Sequence, residues 1–132
     1  MAVRAMLLIL GAFHLANGVY MLVAPMAWYM AVPGVSQTGP LNHHFISDIA
    51  LAFIASGAGL LLGARARPWA GTAAVAGATW PALHALLHIS GWFRHGFPTT
   101  APLIASEILG VVGVGLLGVA LAWTRIREQG DF

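Results

Sequence analysis

Apolar residues run through this chain in four long stretches, separated by short segments rich in Pro, Gly, Arg and Thr. The stretches, 4–24, 42–63, 69–93 and 101–124, each reach the roughly 20 residues an α-helix needs to cross a hydrocarbon layer of about 30 Å. A segment in lipid must satisfy its own backbone, so the pattern predicts helices. Without the alternating strands of a barrel it leaves no place for a sheet. The expected fold is all-α, an integral membrane four-helix bundle, with residues 1–132 forming a single membrane domain.

Helix punctuation fits these borders. Asn42 is placed to cap the second span, Pro68 to sit in the first turn of the third, and Thr99 or Thr100 to cap the fourth ahead of Pro102. Pro81 falls inside the third span, removes the hydrogen bond to Gly77, and predicts a kink one turn before His84. The longest connection, "PMAWYMAVPGVSQTGPL", is expected to lie along the interface with Trp28 and Tyr29 at headgroup depth. The first stretch has the positive start of a signal peptide in Arg4. It is longer than a signal's apolar core and carries His14 and Asn17 inside, so a retained helix is expected. The final "RIREQGDF" reads as a solvated tail.

Composition sharpens the class. Of 132 residues, 59% are hydrophobic and 8% charged, and there is no cysteine. Disulfides, thiolate metal sites and dithiol chemistry are therefore excluded. The net charge of +2 comes from six arginines placed near span ends, which speaks for membrane orientation and against nucleic acid. With alternating helices, Arg4, Arg65, Arg67, Arg125 and Arg127 share one side and only Arg94 takes the other. Both termini are thus expected to be cytoplasmic, in a multi-pass protein of a bacterial-type inner membrane. Small residues, Ala55, Gly59 and Gly63 in the second span and Gly110, Gly113, Gly115 and Gly118 in the fourth, predict close packing within the bundle, with a homo-oligomer seam as the alternative.

Polar residues fall at one depth. His84 stands about 22 Å from the inner surface, while Asp48 and Glu107 each stand roughly 9 Å below the outer one, which is the same level in a 30 Å layer. Asn17 reaches that slab, His14 is a turn deeper, and His44 and His88 are a turn shallower. His44 and Asp48 share a helical face with Ala52, Ala55 and Gly59. His84 and His88 share one with Gly77, Gly91 and His95, Glu107 lines up with Gly110, Val114 and Gly118, and His14 with Gly11 and Gly18. A carboxylate at this depth costs about 2.5 to 3.5 kcal/mol on insertion scales and calls for a partner, a proton or a cavity.

The leading expectation is one metal site of His44, Asp48, His84, His88 and Glu107, since histidines at i and i+4 reach one ion from adjacent turns. His14 and Asn17 are the supporting or alternative cofactor-binding groups. Such a nitrogen and oxygen set suits zinc, iron, manganese or copper. A b-type haem between histidines of two helices is the weaker fit, because carboxylates share the level. Without a metal, Asp48 and Glu107 are the catalytic candidates for acid and base work on a lipophilic substrate, and the same groups would bind a lipid or quinone without turnover. The remaining alternative is a buried polar network that only ties the helices together.

The layout resembles small bacterial four-helix membrane proteins of the DoxX-like type, through "GAFHLANGVYMLVAP", where the first span ends in Ala-Pro, and "NHHFISDIALAFIASGAGLLLGAR", the polar start of the second. The resemblance implies an inner-membrane accessory protein that works beside a redox or transport partner subunit. No functional residue is carried over from it.

Overall fold

The computed structural model describes residues 1–130. Among them every regular element is helical: α1 (Ala2–Val23), a short α2 (Pro25–Ala31), one 3₁₀ turn (Val35–Gln37), α3 (His43–Gly63), α4 (Ala70–His95) and α5 (Ala101–Gln129). Within α5, Ile104–Gly113 winds as a π-helix before Val114–Gln129 returns to α geometry. The helices α1, α3 and α5 are long and apolar enough to cross a membrane. The 26-residue α4 has the length, but Thr72, Thr79, three histidines and Arg94 dilute its apolar character.

In space α3 lies between α1 and α4, α4 packs on α5, and α5 returns to touch α1. Backbones approach where side chains vanish. Gly59 faces Gly77, Gly63 faces Ala74, Gly57 faces Gly11 and Leu15, and Gly115 meets the Pro81 carbonyl. A Cβ added at Gly77 would lie 2.5 Å from the Leu60 nitrogen and 2.8 Å from the Ser56 carbonyl oxygen. The main apolar cluster, including Leu7, Leu10, Leu60, Ala74, Ala78 and Leu121, fills the end of the molecule nearer the α3–α4 turn. A smaller one of Met21, Ile46 and Ala50 lies toward the other end.

Side chains from both chain ends close that turn. Arg4 Nε donates to the Ala64 carbonyl at 2.6 Å, Arg125 donates to the carbonyls of Gly63 at 3.0 Å and Arg65 at 2.9 Å, and Gln129 donates to that of Arg67 at 2.6 Å. The Gln129 side-chain oxygen also accepts from the Gly71 N–H at 2.6 Å. A helix leaves its last carbonyls without intrahelical donors, and cations are favoured there by the dipole. The expectation of a solvated tail is corrected accordingly: Arg125 is 7% exposed and the helix is docked through Gln129. Asp131 and Phe132 lie outside the described residues.

Asn42 caps α3, its side-chain oxygen accepting from the Phe45 N–H at 3.1 Å. Thr100 occupies the cap position of α5 without a side-chain bond, and Pro68 precedes α4 instead of sitting in its first turn. The α1–α3 connection is more ordered than a simple interfacial loop. Trp28 of α2 donates to the Asn17 side chain at 3.0 Å, and the Tyr29 hydroxyl donates to the Gly39 carbonyl at 2.7 Å.

Gly77→Ala is expected to lower stability by about 1 to 3 kcal/mol, because the clash is with backbone that cannot yield. Gly91→Ala, with nothing within 4 Å of the added carbon, should change it by less than about 0.5 kcal/mol. Thermal unfolding of both variants in mild detergent checks the pair.

Candidate functional site

A four-residue rhythm on α4 organises the site. Trp80, His84, His88 and Trp92 follow at i, i+4 intervals, so their side chains form one ridge. Trp80 stacks on His84 with ring centroids 4.9 Å apart and planes at 13°, and His84 meets His88 edge to face at 4.8 Å. At the ridge's end Trp92 Nε1 donates to Glu107 Oε2 at 2.8 Å, and His88 Nδ1 lies 3.6 Å from the same oxygen. The carboxylate therefore receives one direct hydrogen bond, with an imidazole at ion-pair distance.

Glu107 belongs to the π-wound part of α5. Such winding is rare and recurs at functional sites. The connection is fastened over it, with Ser106 Oγ donating to the Pro33 carbonyl at 3.0 Å. Gly34 follows with φ of 90°, and a Cβ there would lie 3.0 Å from Leu103 and 3.8 Å from Glu107 Oε1. Only glycine suits both that backbone and that proximity.

Beside this carboxylate opens a groove of about 500 Å³, between Gly34, Gln37 and Thr38 of the connection, Leu87, Gly91 and Arg94 of α4, and Leu103 of α5. That size falls in the range of about 300 to 1,000 Å³ typical of small-molecule sites. His88, Trp92 and Glu107 form part of its wall, and His95 joins at the rim. His88 and Glu107 are half-buried, at 29% and 25% exposure, so they are reachable from the groove and shielded from the surface.

Deeper in, His14 of α1 is 2% exposed, and neither ring nitrogen has a hydrogen-bond partner among the described residues. It stacks on Phe53 at 5.6 Å, and Phe53 in turn meets Trp80 at 4.7 Å. Gly11 and Gly18, expected on the same face as His14, are buried with it.

The expected site residues do not come together as one group. His84, His88 and Glu107 meet as described. His44 and Asp48 pair with each other, Nδ1 to Oδ2 at 3.6 Å, but their side chains are 88% and 60% exposed. Each stands two residues before a buried position, Ile46 or Ala50, and so is turned about 200° from the packed face. The shared face with Gly59 misleads here: Gly59 does meet α4, three to four turns further along. Asn17 is occupied by Trp28 and reaches the Met21 sulfur at 3.7 Å. Among the described residues no three His, Asp or Glu side chains are grouped so as to hold a metal ion. The donor set therefore does not fit zinc, iron, manganese or copper in this arrangement. The free space between His14 and His84 is about 10 Å³.

Sequence reasoning places Trp92 at the outer interface and gives Trp80 no role, although their four-residue spacing from the histidines is visible once aromatic and imidazole rings are counted together. The π-winding left no comparable signal.

No family model matches the chain, and no curated protein or solved structure is significantly similar to it. The resemblance to DoxX-like proteins rests on layout alone.

What the arrangement offers is acid and base chemistry at the edge of an amphipathic groove. Metal analysis of protein purified in mild detergent without chelators should give background levels for wild type and for His84→Ala/His88→Ala alike. Near-stoichiometric metal that disappears in the double variant would overturn the geometric argument.

Proposed function

We propose that this is a multi-pass protein of a bacterial-type inner membrane, a four-helix bundle with both termini cytoplasmic, whose groove binds the polar head of a lipophilic molecule of the quinone class. The observation that carries the reading is the carboxylate shared by Trp92 and His88 at the wall of a groove of about 500 Å³. A quinone head presents flat apolar ring surface and carbonyl acceptors. Leu87 and Leu103 supply apolar wall, while the Gln37 amide and Arg94 supply donors. His88 and Glu107 are placed to give and take the proton that accompanies a change in the head's charge. Electrons are not among the things these side chains can deliver, so the protein acts as a binding and proton-handling subunit beside a redox partner. Membrane lipid competes for the same groove, and the exposed His44–Asp48 pair stays outside the function.

Orientation is supported by the arginines. Arg4 and Arg125 both bond the α3–α4 turn that contains Arg65 and Arg67, while Arg94 lies at the groove. Clustered arginines favour the cytoplasmic side. A reporter fused to the C-terminus should be active only as a cytoplasmic fusion, and a periplasmic readout would reverse the topology.

Binding of decylubiquinone, followed by tryptophan quenching in detergent, should weaken about ten-fold in His88→Ala and in Glu107→Gln, as expected for losing about 1.4 kcal/mol of a polar contact. His44→Ala/Asp48→Ala should bind like wild type. Equal binding by all variants, or none by wild type, would sink the quinone reading.

A further inference from the structure

The groove chemistry uses His88 and Glu107 and leaves His14 unexplained. This imidazole is 2% exposed and unpartnered at both nitrogens among the described residues. Buried polar atoms in folded proteins almost always have a partner, and the usual missing one is an ordered water. A space of about 10 Å³ lies where it is needed, lined by His14 and His84, by Phe53 and Trp80, and by Gly110 and Val111 of the π-wound segment. One water requires about that much room and at least two polar partners. A metal would want more donors than two, and the other walls offer rings and apolar groups.

We propose that this space holds one water molecule hydrogen-bonded to His14 and His84, and that the water makes His14 the inner end of a proton path entering at Glu107. The path part rests on the groove reading above, whereas the water site stands on His14 alone. From the groove the order is Glu107, His88 at 3.6 Å, His84 with its ring 4.8 Å from that of His88, the water, then His14. His88 and His84 each accept a proton on the free nitrogen and release the one on the other, and the reverse transfer resets their tautomers, whereas His14 at the end of the path only accepts and becomes the imidazolium. Below His14 on its own helix come Leu10 and Leu7, both buried and apolar. The path stops there, so one proton is stored and none is pumped. Burial opposes a charge on His14, and the Phe53 face stacked on its ring offsets part of that cost.

The test is water-to-protein magnetisation transfer in solid-state NMR, on protein with ¹⁵N-labelled histidine in phosphatidylethanolamine and phosphatidylglycerol bilayers. The His14 signals are assigned by their loss in His14→Phe. In wild type, transfer to His14 should be as fast as to His88. Gly110→Val fills the space without touching a histidine and should slow transfer to His14 about ten-fold, leaving that to His88 unchanged. Val111→Phe fills it from the neighbouring position should the glycine variant fail to fold. A His14 that receives no water magnetisation in wild type, or transfer undiminished in a folded filled variant, overturns the water site. Quinone binding measured on the same samples keeps the readings apart: a hydrated His14 in protein that binds no quinone removes the groove reading and the path, and leaves the water.

Discussion

In lipid the hydrophobic effect does not drive one apolar helix against another, so the assembly depends on how closely backbones can approach. The contacts that provide that closeness include Gly11 against Gly57, Gly18 against the Ala50 carbonyl, Gly59 against Gly77, Gly63 against Ala74, and Gly115 against the Pro81 carbonyl. All of them involve α3 or α4, and together they bring the middle helices into one register against α1 and α5. The placement of Phe53 against Trp80 follows from it, because a ring contact of 4.7 Å between α3 and α4 needs the helices set to within a fraction of a side chain. The rings of His14, Phe53, Trp80 and His84 pack beside these glycine contacts.

The two ends solve different electrostatic problems. At one, the carbonyls that close α3 and the following turn point toward Arg4, Arg125 and Gln129, which satisfies acceptors that a helix terminus leaves open. Their donors come from the first and last helices, so the same bonds that cap α3 also tie the chain ends together. At the other end the charge is a carboxylate, held by the Trp92 indole and faced by His88. A lone carboxylate in an apolar wall would be costly, and a hydrogen bond from the indole beside an imidazole offsets part of that cost. The arginine end is rich in hydrogen-bond partners, whereas the carboxylate at the groove end has a single direct one.

Helices and their borders were legible because apolar run length and punctuation are local properties: Asn42 caps α3 as its residue type predicts. The inward face of α1 was legible too, since Gly11, His14 and Gly18 all turn out buried on a regular helix. Two parts were not. The face of α3 that carries His44 and Asp48 holds a glycine that does meet a neighbour, but local pattern says nothing about how far along the helix that neighbour extends. In α5 the step of 100° per residue assumes α geometry, and Ile104–Gly113 does not have it. Extending the face of Glu107 to Gly110, Val114 and Gly118 thus crosses a change of winding that no residue type announces.

That winding also bears on why the groove and the buried imidazole share a helix segment. Glu107 faces the groove and Gly110 and Val111, three and four residues on, line the small space beside His14 and His84. Both sites are therefore lined by the same π-wound stretch of α5. On α4 the same offset separates His88 from His84. Two helices thus present matched pairs at two levels, an acidic pairing at the groove and a confined imidazole below it. Because Ile104–Gly113 lines both spaces, rewinding it into α geometry would shift Glu107 at one level and Gly110 and Val111 at the other together.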